Sequence, residues 1–275
     1  MKILGVTAKG YGKNICQDAI SLKKYISGDI SIFLFALADG AGSAENSHIG
    51  AEFITSEFTK RLYRYLRRNK HFLRRPDIFG ESLRNIIKKS IKEVRDRLLE
   101  KSYLEGNPFE SYASTFIGGV VISSQFFRKL IYLSIGDSAL FAFKKNGDEI
   151  KLIAMNIPIK GEYPNTTVFL TSHIWEKVMI LGEVNNLDYL FVSSDGLDKV
   201  FFKAKILDEF ENGKGCPVYM KYIWTFEVVY DSLYKLLKGF EGGKIEKQGL
   251  EKFLYSEKLM DMNPDDKSLI LGVFK

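Results

Sequence analysis

From Ile30 to Ala38 the chain reads ISIFLFALA, apolar at every position but Ser31. An unbroken apolar run of this length predicts a strand covered on both faces. Strand-like runs also dominate 116–123, 130–143 and 188–193, and Leu269–Phe274 predicts one more. Ile54, Phe58, Leu62 and Leu66 recur every four residues, so 46–68 predicts an amphipathic helix. Leu83, Ile87, Ile91, Val94 and Leu98 mark one side of a second helix over 78–101. Asn146-Gly147 predicts a hairpin turn between two strand-like runs. Pro164–Ser172 reads as a further strand. Lys203–Met262 reads as mostly helical, with a loop at Gly213–Pro217. No glycine-, serine- or proline-rich linker and no repeat interrupts the pattern, so residues 1–275 read as a single domain.

The polar residues that break this pattern are concentrated at strand ends. Asp39-Gly40 follows the run at 30–38, Asp137 follows Ile131, Leu133 and Ile135, and Asp195-Gly196 follows Leu190–Val192. Asp265 and Asp266 precede the strand at 269–274, and Asp18 leads into another strand. A single Asp-Gly pair is an ordinary turn signal. Several carboxylates gathered at strand ends would repel one another unless a cation sat among them. Glycine beside the acids lets the backbone come close and offer a carbonyl. An oxygen-only donor set favours Mg²⁺ or Mn²⁺ over zinc. His48, His71 and His173 fall in none of these segments and read as surface or structural residues.

Composition narrows the classes. Cys16 and Cys216 are far apart with no CxxC spacing, which speaks against a disulfide framework or a zinc knuckle. No apolar stretch is long enough to span a bilayer and no signal-peptide core is visible, so a cytoplasmic, monomeric protein with no membrane role is the default expectation. The net charge is +6, and Lys60 to Arg75 carries eight Lys or Arg with no acid. A solvated helix face explains that run. Nucleic-acid binding through it is the disfavoured reading, because no aromatic-interleaved motif supports it.

The order of the segments resembles the metal-dependent serine/threonine phosphatases of the PPM, or type 2C, family, in particular the stand-alone bacterial type. Gln17-Asp18 resembles the family's Glu-Asp pair, and Asp39-Gly40-Ala41-Gly42-Ser43 resembles D-G-x-G-G. Ser114-Thr115 with Gly118-Gly119 resembles G-S-T-A, and Gly136-Asp137-Ser138 matches G-D-S. Ser194-Asp195-Gly196-Leu197 matches S-D-G-L, and Asp265-Asp266-Lys267-Ser268 resembles D-N-x-T/S. The resemblance implies an α+β fold: a four-layer α-β-β-α sandwich of two packed, mostly antiparallel sheets flanked by helices. It implies metal-dependent hydrolysis of phosphoserine and phosphothreonine in proteins, in signalling opposite a counterpart kinase.

By the same resemblance, Asp39, Asp195 and Asp265 are the catalytic acids. Asp39 bridges two Mn²⁺ or Mg²⁺ ions, the Gly40 carbonyl binds one of them, and Asp195 and Asp265 complete the shell of the other. Asp18 acts through water, and Asp137 is a candidate for a third ion. Lys13 stands where the family often has an arginine that grips the substrate phosphate. Gln17, Ala41, Ser43 and Ala139 depart from the family pattern. Gln17, Ala41 and Ala139 motivate an alternative expectation, a weak or inactive module that binds a phosphorylated partner.

Overall fold

The computed structural model describes residues 1–69, 76–156, 167–209, 222–228 and 230–274. Two five-stranded antiparallel sheets form the centre. The first runs β1 (Lys2–Ala8), β12 (Lys267–Val273), β9 (Tyr189–Ser193), β6 (Ala139–Asn146) and β7 (Glu149–Met155). The second runs β2 (Ala19–Ser27), β3 (Ile30–Ala38), β4 (Phe116–Ser123), β5 (Arg128–Ile135) and β8 (Ile180–Asn185).

The two-residue repeat of a strand sends alternate side chains to opposite faces. In β3, Phe33, Phe35 and Leu37 point into the layer between the sheets, where they meet Leu140, Leu190, Val192 and Ile270. Ile32, Leu34 and Ala36 point the other way, onto α1 (Ser47–Arg68) and α2 (Pro76–Glu105). The periodic residues Ile54, Phe58, Leu62, Leu66, Leu83, Ile87, Ile91, Val94 and Leu98 all lie in that outer core. The first sheet repeats the arrangement. Phe141, Tyr189 and Phe191 pack under α4 (Asp198–Phe201), α5 (Tyr230–Glu241), α6 (Lys247–Leu254) and α7 (Glu257–Met262). The fold is therefore the expected four-layer sandwich. Full burial of each such side chain contributes about 1.5–3 kcal/mol.

Four local expectations need revision. The run at 130–143 is two strands, β5 and β6, because Gly136 takes φ +98 and turns the chain from one sheet to the other. The hairpin after β6 is present, but Asn146 pairs with Glu149, so Gly147 (φ +59) and Asp148 form its two-residue loop. Between 203 and 262 the helices are preceded by an antiparallel pair, β10 (Phe202–Glu209) and β11 (Tyr222–Val228). YIWTFEV is rich in aromatic and β-branched residues, which suit a strand. The Gly213–Pro217 loop lies outside the described residues. Finally, 168–172 is not strand: Thr167 makes one isolated bridge, 168–169 are irregular, and 170–172 turn and bend. The Phe169 and Ser172 N–H and O groups bond to each other there, and Leu170 N–H donates to Ser114 O. A serine side chain closing its own turn competes with strand pairing. Residues 164–166 lie outside the described residues.

Candidate active site

The acids converge at one end of the sandwich, and they come from both sheets. Asp18 precedes β2 and Asp39 follows β3. Asp137 lies between β5 and β6, Asp195 opens a 3₁₀ turn after β9, and Asp265 and Asp266 precede β12. The loop after Asp39 is fixed by its backbone. Asp39 N–H donates to Thr115 Oγ1 (3.1 Å). Thr115 N–H donates to Asp39 O (2.8 Å), Gly40 N–H to Gln17 O (3.1 Å) and Ala41 N–H to Ala113 O (2.9 Å). The Ser114-Thr115 segment thus serves as the strap that holds Asp39 in place.

Four carboxylates crowd together. Burial, then the charges of Asp18, Asp195 and Asp137, hold the Asp39 carboxyl well above the usual carboxylate range. Burial pushes Asp18 up to about 7. The Ser268 and Ser194 hydroxyls oppose that rise, and the Asp266 charge adds to it. Those hydroxyls lie beside Asp18, yet among the described residues no hydrogen bond of good geometry reaches either of its oxygens. The hydroxyls of Ser114, Ser193 and Ser268 are buried and unpartnered as well. Such orphaned oxygens are costly unless something satisfies them.

Asp18 and Asp39 bind protons more tightly in the fold than in the unfolded chain. Their contribution to the stability of the metal-free protein is therefore fully present below the unfolded carboxylate value near pH 4, and is lost as pH rises through about 7. A hard cation competes with those protons, so stabilisation by Mn²⁺ is expected to grow over the same interval. Melting curves in chelator and in Mn²⁺, from about pH 5 to about pH 7.5, measure both trends, and Asp18→Asn should flatten them. A protein equally stabilised by Mn²⁺ at both ends would contradict this linkage.

Asp265 and Asp266 differ from the sequence expectation in their surroundings. The Asp265 side chain is 48% exposed and forms an ion pair with Lys13. Its Oδ1 also accepts the Asp266 N–H (2.8 Å). Asp266 is buried, and its oxygens accept Gly10 N–H (2.7 Å), Gln17 N–H (2.8 Å) and Lys13 Nζ (3.0 Å). Asp266 thus straps the loop before β2 to the start of β12. Sequence reasoning gave it no role, although an Asp-Asp pair leaves two registers open.

Gln17 is equally committed. Its Nε2 donates to Ala41 O (3.2 Å) and Ser47 Oγ (2.7 Å), while its Oε1 accepts Lys13 Nζ (3.3 Å). A carbonyl on one side and an ammonium on the other fix the amide's orientation. Lys267 is a second surprise. Its side chain is fully buried, and its Nζ donates to Asp265 O (2.8 Å) and toward Met260 Sδ (3.4 Å). Burial pulls its pKa down against the charges of Asp265, Asp266 and Asp18. Cys16 is unfit as a nucleophile, because burial, then Asp18 and Asp266, push its thiol up to about 12.

Beside the Asp39 loop opens a cleft of about 900 Å³ lined by Ala41, Glu45, Arg95, Phe109, Phe169 and His173. Arg95 forms part of its wall, donating to Leu170 O (2.9 Å) and Thr171 O (3.3 Å) and lying over the Phe109 and Trp175 rings.

The chain belongs to the protein phosphatase 2C family, whose profile matches residues 8–237. The match ends before Asp265, Asp266 and β12, whose placement rests on the structure. The fold is similar to that of the serine/threonine phosphatase Stp1 from Staphylococcus aureus. That likeness has a TM-score of 0.60 at 16% identity and covers 100% of this chain and 95% of that one. It is also similar to the catalytic domain of the serine/threonine protein phosphatase PstP, solved in complex with two manganese ions. There the TM-score is 0.58 at 15% identity, over 100% of this chain and 98% of that one. PppA, a regulatory component of the T6SS in Pseudomonas aeruginosa, gives 0.53 at 14% identity, over 99% and 97%. No curated protein matches the sequence. Among the described residues no helix is long and apolar enough to cross a membrane.

Proposed function

We propose that the chain hydrolyses phosphoserine and phosphothreonine esters in proteins, using Mn²⁺ or Mg²⁺ held by the aspartates around Asp39. The observation that supports this most is the crowding of Asp18, Asp39, Asp137 and Asp195, with orphaned buried oxygens beside them. Among the described residues no group of three or more His, Cys, Asp or Glu side chains stands in ready metal-holding geometry, so the fit rests on the chemistry of the donor set. Hard oxygen donors with mutual repulsion suit a hard divalent cation. Asp39, Asp195 and the Gly40 carbonyl would hold it, with Asp18 and Asp137 around them.

When bound, such an ion lowers the pKa of water and offsets charge on the phosphoryl group. The protein's own contribution is positional. Thr115 fixes the backbone of Asp39, and its hydroxyl in turn meets Ser138 Oγ at 3.2 Å. The cleft beside Ala41 would take the substrate segment on either side of the phosphorylated residue. Among the described residues lining the site, none resembles an activated nucleophile, which agrees with direct attack by water. The partners implied are a phosphoprotein and the kinase that modifies it.

The experiment is hydrolysis of p-nitrophenyl phosphate with Mn²⁺, against chelator and against Asp195→Asn. Turnover should require metal and fall at least about a hundredfold in the variant. A folded protein without turnover at any Mn²⁺ concentration, yet with affinity for phosphopeptide, would establish the binding module instead. Gln17 and Ala41 are the residues that favour that second reading.

A further inference from the structure

The acidic constellation has two halves that differ in how their charge is met. Around Asp39, burial and then the charges of Asp18, Asp195 and Asp137 raise the proton affinity of its carboxyl. Around Asp265 and Asp266, a cation is already present in the chain: Lys13. Its ammonium is bonded to Asp265 Oδ1, to Asp266 Oδ2 at 3.0 Å and to Gln17 Oε1 at 3.3 Å. Three oxygens from two distant segments converge on one nitrogen. The ammonium has three protons to donate, and each finds an acceptor.

The surroundings make this a built arrangement. Gly10 carries the loop close against β12's entry, where a Cβ would stand 2.4 Å from Pro264 O. Tyr11 N–H donates to Pro264 O at 2.8 Å. Asp266 receives Gly10 and Gln17 N–H as well as the lysine. The neutral Gln17 fits the same logic. Its amide donates to Ala41 O and Ser47 Oγ, which a carboxylate could not do, and it offers Lys13 only its oxygen.

We propose that Lys13 is a resident counter-cation that occupies the Asp265–Asp266–Gln17 half of the site, so that the chain binds one divalent ion tightly, on the Asp39 side. Any further ion enters that half only by displacing the lysine. A lysine so placed is a positioning residue, and its contacts fix Asp265 away from the tight ion. The inference rests on the metal-dependent reading above.

The test is a count of bound Mn²⁺, by calorimetry and by electron paramagnetic resonance of the free ion, on the full chain and two variants. The parent should bind one Mn²⁺ tightly. Lys13→Met should gain a second ion, bound about ten- to a hundredfold more tightly than any second ion of the parent, the usual size of coupling between competing ligands. Asp265→Asn, which keeps the side chain's shape, should leave the tight ion's affinity within about twofold of the parent's. Two equally tight ions in the parent would overturn the inference and leave the phosphatase reading intact. The same holds for unchanged stoichiometry in Lys13→Met, or for marked weakening of the tight ion in Asp265→Asn. No Mn²⁺ bound by any of the three folded proteins would overturn the metal reading itself.

Discussion

Asp39→Asn is expected to give a folded protein whose metal-dependent phosphate-ester hydrolysis falls by about a thousandfold or more. The reason lies in how Asp39 is held. Thr115 bonds to its backbone N–H and carbonyl, and neither bond involves the carboxylate. An asparagine keeps both bonds and nearly the same volume. It removes a carboxyl whose ionisation burial and the charges of Asp18, Asp195 and Asp137 oppose. In chelator the variant should therefore melt no lower than the parent, and as much as a few degrees higher, since relief of about 1 kcal/mol shifts a domain of this size by roughly 2–4 °C. The rise in melting temperature that Mn²⁺ gives the parent should vanish. Activity within about tenfold of the parent, with that rise preserved, would show that Asp39 does not hold the ion.

Gly196→Ala carries the second large effect, and it acts through packing. A Cβ on Gly196 would stand 1.9 Å from the Asp266 carbonyl oxygen and 3.2 Å from Lys267 Cγ. That carbonyl cannot withdraw cheaply, because the Asp266 side chain is tied to Gly10, Gln17 and Lys13. The strain should destabilise the fold by about 2–3 kcal/mol. A drop of roughly 5–10 °C in melting temperature should follow. Mn²⁺ affinity should fall with it, as Asp195 is the neighbouring residue. Gly249→Ala is the matched control: a Cβ there meets nothing within 4 Å, and the residue lies within α6. Helix propensity should make that change neutral or stabilising by up to about 1 kcal/mol. A Gly196→Ala protein as stable as this control would remove the close approach from the account.

Much of the fold was legible because burial imposes a period on the sequence. The unbroken apolar run of β3 and the four-residue spacing in α1 each admit one reading, and the structure has both. The pair β10 and β11 was less legible, since YIWTFEV can be spaced as a helix face or as a strand until a partner strand decides. The candidate site was legible as positions at strand ends. Which oxygen meets which cation was not, because that depends on contacts between segments far apart in sequence. Asp265 and Asp266 are adjacent in sequence, yet one is half exposed against Lys13 and the other is buried under three N–H donors. Nothing in the dipeptide distinguishes them. Lys267 was hidden for the same reason. Its burial follows from the register of β12 against β1, which sets it opposite Ala8.

That register has a consequence for how the protein is made. β12 lies between β1 and β9, with Lys2 opposite Val273 and Ala8 opposite Lys267. On the ribosome, β1 emerges before the other described elements of the sandwich, and its partner β12 after them. Until β12 emerges, β1 therefore lacks its pairing partner, and contacts of such long range make folding slow. The acidic cluster cannot exist as a unit in that interval, because Asp266 arrives with β12. A growing chain therefore lacks the Asp265–Asp266 part of this cluster until the strand that completes its first sheet has been added, and its unpaired β1 edge is where a chaperone would have work to do.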